Sequence, residues 1–141
     1  MDQVNINHRL KKRIEVIEKF RELCIEEISE ISSTLISVFS NGNKLLICGN
    51  GGSAADSQHL AAEFVSSFAR GLRRRSLPAI SLTVDTSIIT AISNDFGYER
   101  VFSRQIEGLA SEGDAVLLIS TSGKSKSCLT WVLMSQGQNL Y

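Results

Sequence analysis

The stretch Lys44-Leu-Leu-Ile-Cys-Gly-Asn-Gly-Gly-Ser-Ala-Ala-Asp-Ser-Gln-His-Leu-Ala-Ala-Glu63 decides the fold. Leu45–Cys48 is apolar without alternation, the mark of a strand buried on both faces. Gly49-Asn50-Gly51-Gly52-Ser53 follows as a loop, with Ser53 or Gly52 placed to cap a helix over Ala54–Phe64. Backbone N–H groups at such a helix start attract anions, and glycine lets a ligand approach closely. His59 and Glu63, at i and i+4, share one face of that helix.

Downstream, Leu77-Pro78 leads into a second predicted strand, Ala79–Thr83, and Asp85-Thr86-Ser87 offers an N-cap to a short helix, Ile88–Ser93. Asn94–Tyr98 reads as a turn-rich loop, Glu99–Ala110 as a helix, and Ala115–Ile119 as a third buried strand. That strand runs into Ser120-Thr121-Ser122-Gly123-Lys124-Ser125, before a last helical turn or two. Strands alternating with helices predict a parallel α/β sheet, in which ligands sit at the carboxyl ends of strands. Both special loops follow such ends and are expected to converge. Upstream, about Ile6–Phe39 is predicted to be helical, as one long helix or, in the plainer reading, as a bent helix or helix pair covering one sheet face. Leu10, Ile14, Ile17, Cys24, Ile28, Ile31, Leu35 and Val38 form its apolar stripe, and Lys11, Lys12, Arg13, Glu15, Glu18 and Lys19 its polar face. A helix of this length outreaches a small core, so part of the stripe is expected to pack on another subunit.

The chain has 141 residues, 43% hydrophobic and 21% charged, enough for one domain with a real core. Lys plus Arg and Asp plus Glu are both 15, which gives no support to nucleic-acid binding. No apolar run approaches the ~18 residues of a membrane span. Cys24, Cys48 and Cys128 have no metal-site spacing and suit reduced, buried thiols of a cytosolic protein.

Two nucleotide motifs fail. Gly49–Ala54 fits G-x-G-x-x-A, but no acidic residue ends a strand about 20 positions on. Gly123-Lys124-Ser125 resembles the end of a P-loop, but Leu118 stands where the first glycine belongs. The hydroxyls of Ser120, Thr121, Ser122 and Ser125 suit phosphate or sugar oxygens. His59 and Glu63 suit zinc; Glu63 alone suits a general base; a surface histidine beside a glutamate is the plain alternative. Asp56 and Gln58 lie near enough to matter, or are ordinary first-turn residues. The run Arg70, Arg73, Arg74, Arg75 is either a solvated loop or a cationic clamp for phosphate.

CGNGGSAADSQHLAAEF, LTVDTSIITAISNDFGYERVFSRQIEGL and EGDAVLLISTSGKS, in this order and spacing, resemble the phosphoheptose isomerases of the SIS (sugar isomerase) superfamily over about residues 10–127. The resemblance implies a flavodoxin-like three-layer α/β fold with a parallel sheet, as one SIS domain. Residues 1–40 would be a helical oligomerisation segment, 41–127 the sheet core and 128–141 an atypical tail. It implies a cytoplasmic homotetramer that converts sedoheptulose 7-phosphate to D-glycero-D-manno-heptose 7-phosphate for bacterial surface heptose. By motif, Asn50, Gly51 and Gly52 would contact substrate, Asn94 and Asp95 would bind the sugar, and Ser120, Thr121, Ser122 and Ser125 would hold the phosphate. His59 and Glu63 would ligate zinc, with Glu63 also the catalytic acid–base. Where the family has arginine four residues after the glutamate, this chain has Ser67, and Arg70 is the candidate to stand in. The family pattern continues well beyond Ser127 with further strands, a helix, and a Gln and a His that complete the metal and acid–base set. A truncated or frameshifted chain with an incomplete sheet is therefore expected, with weak or no turnover. The alternative from another class is a non-catalytic SIS module that binds a phosphosugar or a protein in regulation.

Overall fold

The computed structural model describes residues 3–68, 71 and 73–134, and the chain divides into two compact units, residues 1–36 and 37–141. The first unit holds α1 (Gln3–Leu23) and most of α2 (Ile25–Ser40). The helical segment expected here takes the form of the alternative reading, two helices with a bend at Cys24, although Cys24 N–H still donates to Phe20 O and Ile28 N–H to Cys24 O. Nothing in the local sequence explains the bend. Leu10, Ile14, Ile17, Ile28 and Ile31 of the apolar stripe are exposed.

The second unit begins with the last turn of α2, where Val38 and Phe39 are buried. It continues with β1 (Leu45–Gly49), α3 (Gly52–Val65), β2 (Ala79–Ser81), α4 (Thr86–Phe96), α5 (Val101–Leu109) after a 3-10 turn at Tyr98–Arg100, β3 (Ala115–Ile119) and α6 (Lys126–Met134). The sheet among the described residues is parallel with order β2-β1-β3. β1 is central and buried along its whole length, as its unbroken apolar run requires. Each of Leu45, Leu46 and Ile47 contributes about 1.5–3 kcal/mol by burial. α3 packs against β1 and β2, and its Phe64 ring meets Phe39 at 5.4 Å. Side chains alternate across a strand. Leu46 and Cys48 share the other face with Leu82, Val101, Phe102 and Ile106, and with Cys128 and Trp131 of α6. The tail therefore begins inside the core, and α6 is longer than the turn or two expected; residues 135–141 lie outside the described set.

Other boundaries differ from expectation. β2 stops at Ser81, not Thr83. β3 is buried only at Ala115 and half-buried from Val116 onward, because β1 is its one strand neighbour among the described residues. Asp85 caps α4 as expected, accepting from Ile88 N–H at 2.9 Å, but α4 continues through Phe96. The residues read as a loop at Asn94–Phe96 are its last turn. The Cys48 thiol is raised by burial first and then by the neighbouring Cys128 thiol, so it stays protonated at neutral pH. That agrees with a reduced, inert core residue.

Asp114 sets the sheet register. Its buried carboxylate accepts from Lys44 N–H at 2.9 Å and Ser111 N–H at 2.7 Å and pairs with the Lys44 ammonium. Ala115 N–H donates back to Lys44 O at 2.9 Å. The starts of β1 and β3 are thereby level, Leu45 opposite Ala115, and so are their ends, Gly49 opposite Ile119. Burial pushes the Asp114 carboxyl up, but the Lys44 and Ser111 hydrogen bonds and the Lys44 charge outweigh it and hold it below the usual carboxylate range. A depressed folded-state pKa stabilises above the unfolded value of about 3.9 and is lost as pH falls through the folded one. Asp114→Ala is expected to cost about 3 kcal/mol at neutral pH by leaving buried donors and Lys44 unpaired. Urea unfolding at pH 7 and pH 3 checks this: the stability difference between the two chains should shrink in acid.

Candidate functional site

The site lies where the strand order reverses, between the carboxyl ends of β1 and β3. Gly49 makes their approach possible. A Cβ on it would stand 2.7 Å from Ser53 Cβ, 2.8 Å from Ser53 O and 2.9 Å from Ile119 O. Gly51, at φ 58°, is the N-cap of α3 and supplies the left-handed turn into the helix. The expected cap at Gly52 or Ser53 is therefore one or two residues late: Ser53 is buried inside the first turn, and no side chain caps α3.

The two loops do meet. Asn50 Nδ2 donates to Ser125 Oγ at 2.7 Å and to Ser127 Oγ at 2.8 Å, and the two serine oxygens are 3.2 Å apart. Ser125 O accepts from Cys128 and Leu129 N–H at the start of α6, so this cluster lies between two helix N-termini. Tyr98 OH donates to Asn50 Oδ1 at 2.7 Å from the 3-10 turn after α4. Gly51, Gly52, Thr121 and Ser122 are exposed around the cluster; Ser122 Oγ accepts from Lys124 N–H at 3.2 Å, and Gly123 N–H closes a turn onto Ser120 O at 3.3 Å. Asn94 and Asp95 are exposed on the last turn of α4 and hydrogen-bond each other at 2.8 Å rather than either loop.

His59 and Glu63 share a face of α3, as predicted, with Nε2 and Oε1 3.9 Å apart. The imidazole side chain is 72% exposed and the carboxylate side chain 30%. They border a hollow of about 360 Å³ walled by Leu60, Phe64, Phe68, Arg74 and Leu77. By helix rise, the two residues stand about 10 and 16 Å beyond Gly52, and side chains on a helix lean back toward its N-terminus. A ligand held at Asn50 and Ser125 and reaching Glu63 must therefore run along α3 as an extended chain.

The donor set is short for zinc, which takes at least three protein ligands. His59 and Glu63 fit two of them. No group of three His, Cys, Asp or Glu side chains is gathered anywhere among the described residues.

The arginine run is a solvated loop in part, with Arg73 and Arg75 exposed, but Arg74 and Arg75 also hold backbone carbonyls. Arg74 donates to Glu63 O at 2.7 Å and Phe64 O at 2.8 Å, holding the carboxyl end of α3, and Arg75 donates to Phe39 O. Arg73 is exposed, and Arg70 lies outside the described residues. Gln58 ties α3 to Thr83 Oγ1 at 3.2 Å, and Asp56 is exposed. Sequence reasoning missed Tyr98 and Ser127, and gave Arg74 no role at the end of α3. Ser127 repeats the Ser120–Ser125 pattern at one more step. Tyr98 and Arg74 stand in stretches already singled out, but nothing local marks their partners, which lie 48 and 11 residues away at Asn50 and Glu63.

Comparison with known proteins follows the same lines. A family profile described as the SIS domain matches residues 10–141. The phosphoheptose isomerase of Roseiflexus sp. (strain RS-1) is 55% identical over 120 residues, 85% of this chain and 60% of that protein. That of Geotalea uraniireducens (strain Rf4) is 52% identical over 122 residues, 86% and 64% of the two. The chain thus spans less than two thirds of the length of these relatives. Among solved structures, phosphoheptose isomerase GmhA from Neisseria gonorrhoeae superposes with TM-score 0.87 at 34% identity, covering 98% of this chain and 71% of that one. A phosphoheptose isomerase from Francisella tularensis gives 0.90 at 31%, with 99% and 73% covered.

Gly49→Ala is expected to cost about 1–3 kcal/mol, since two of the three close atoms are backbone oxygens that cannot turn aside. Thermal unfolding measures it. A Gly49→Ala chain that melts with the unaltered one would show that the loops part freely.

Proposed function

The chain belongs to the SIS domain family, alongside the phosphoheptose isomerases, and from that premise we propose that it serves their reaction. In this reading sedoheptulose 7-phosphate becomes D-glycero-D-manno-heptose 7-phosphate, in the cytoplasm, on the route to surface heptose. The observation that carries it is the bonding of Asn50 to Ser125 and Ser127, which joins two anion-suited loops at the head of the helix that bears Glu63. The phosphate sits among Ser120, Thr121, Ser122 and Ser125, with Asn50, Gly51 and Gly52 beside it. Hydroxyls, N–H groups and the positive ends of α3 and α6 favour that charge. The carbon chain extends along α3 toward Glu63, and Asn94 and Asp95 take sugar hydroxyls in exchange for the side-chain hydrogen bond they make to each other. Binding energy from the phosphate then fixes the reacting carbons.

An aldose–ketose isomerisation moves one proton between neighbouring carbons. The Glu63 carboxylate removes it from C1 of the ketose and returns it to C2, while a hydroxyl proton passes from O1 to O2. The hollow's apolar walls, Leu60, Phe64, Phe68 and Leu77, border the carboxylate and leave it 30% exposed. A zinc ion on His59 and Glu63 would polarise the carbonyl, but it needs a donor beyond those of the described residues. The exposed apolar stripe of α1 and α2 suits assembly as a homotetramer, which would bring other subunits' side chains within reach.

The incomplete donor set favours one second reading, a SIS module that binds a phosphosugar, or a protein partner, without turning it over. A coupled assay of the purified chain with sedoheptulose 7-phosphate and zinc separates the two. Glu63→Gln is expected to lower kcat by about 10²–10⁴-fold, the worth of one general base, while substrate still binds. Saturable binding with no turnover in either chain supports the module.

A further inference from the structure

Tyr98 lies in one of the stretches quoted above but has been given no role, yet it contacts the centre of the cluster. Its ring, about half exposed, stands on the 3-10 turn between α4 and α5. We propose that Tyr98 is a positioning residue for the phosphate subsite, acting through Asn50 to turn the hydroxyl of Ser125 outward as a donor. The inference rests on the phosphosugar reading and deepens it.

The argument is one of donors and acceptors. An asparagine amide has an oxygen end and an NH₂ end of nearly the same shape, and serine and tyrosine hydroxyls can each give or take a hydrogen bond. Here the single Oδ1 meets one phenol, and the two Nδ2 hydrogens meet two serine oxygens, at 2.7 and 2.8 Å. This orientation uses both amide hydrogens, whereas the turned-over amide would leave one of them without a partner in the cluster. A phenol is also a better donor and poorer acceptor than an alkyl hydroxyl, so the amide oxygen belongs on Tyr98. With Asn50 held this way, Ser125 and Ser127 are both acceptors toward it, and their own hydrogens are released. Either hydroxyl can give the 3.2 Å bond between Ser127 and Ser125; Ser127 is buried and Ser125 half-buried, so the Ser127 hydrogen is assigned to Ser125 Oγ. The hydrogen of Ser125, half-buried at the loop, is left for an anion. The polarity runs one way: Tyr98 to Asn50, Asn50 to the serines, Ser125 to phosphate. Each bond in such a chain strengthens the next. If the amide turned over, both serines would donate inward to Oδ1, and the phosphate would lose a donor.

Calorimetry on the full chain tests this with two probes, inorganic phosphate and sedoheptulose 7-phosphate. Tyr98→Phe keeps the ring and removes only the hydroxyl. It is expected to weaken both ligands on the order of tenfold, the worth of one neutral hydrogen bond, with the melting temperature unchanged. In a chain that turns over, the loss falls on KM and leaves kcat alone. In an Asn50→Ala background the same change should have no further effect, because Tyr98 acts only through Asn50. If the unaltered chain binds both ligands and Tyr98→Phe binds them equally well, the Tyr98 role is overturned and the phosphosugar reading stands. A tenfold loss that persists without Asn50 also overturns it. If the unaltered chain binds neither ligand, both readings fall together.

Discussion

At the end of β1, the Gly49 backbone lies within 3 Å of where any side chain would meet Ser53 and the Ile119 carbonyl. Only a residue without a Cβ allows β1 to turn into α3 while β3 ends beside it. The site depends on that proximity, since Asn50 follows Gly49 directly and Ser125 follows the end of β3. The register that brings Gly49 level with Ile119 is set at the other end of the strands. There the Asp114 carboxylate bonds both the Lys44 backbone and its ammonium. A buried carboxylate and a glycine, one at each end of the same strand pair, together place two loops within hydrogen-bonding distance. Each device is local, and the five paired residues of a rigid, buried strand connect them.

The proposed chemistry then divides along α3. Its N-terminus offers a positive dipole end and the Asn50–serine cluster, which suit a phosphate. Two to three turns on, His59 and Glu63 face an apolar hollow. A helix is stiff, so the separation between the anion end and the carboxylate is fixed. Arg74 secures the far end by binding the Glu63 and Phe64 carbonyls, which lie in the last turn, where helical partners run out. Within a run that reads as a solvated loop or a phosphate clamp, Arg74 is a fastening for the helix that carries Glu63.

Much of this was legible beforehand. The unbroken apolar run of Leu45–Cys48 announced a central strand, and Asp85 announced a helix start. The i, i+4 spacing put His59 and Glu63 on one face. These are rules of short range, and nothing distant competes with them. Errors came where distant partners decide. Asn94 and Asp95 have turn propensity, yet tertiary packing of Ile89 and Ile92 on the core carries α4 past them. The Arg74 side chain was solvated or phosphate-bound in any reading that did not know where the carboxyl end of α3 would lie. The bend at Cys24 has no signal in the surrounding residues.

The amino-acid sequence by itself determined the order of strands and helices, the anion-suited loops, and the family, because periodicity, glycine placement and motif spacing are local properties of the chain. The tertiary structure alone decided that Asn50 would bond Ser125 and Ser127, that Tyr98 would orient it, and that Asp114 would lock the register. Those partners lie 48 to 77 residues apart. A hydrogen bond across such a separation leaves no periodic trace; it exists only once the sheet has closed and both groups have been carried to the same place.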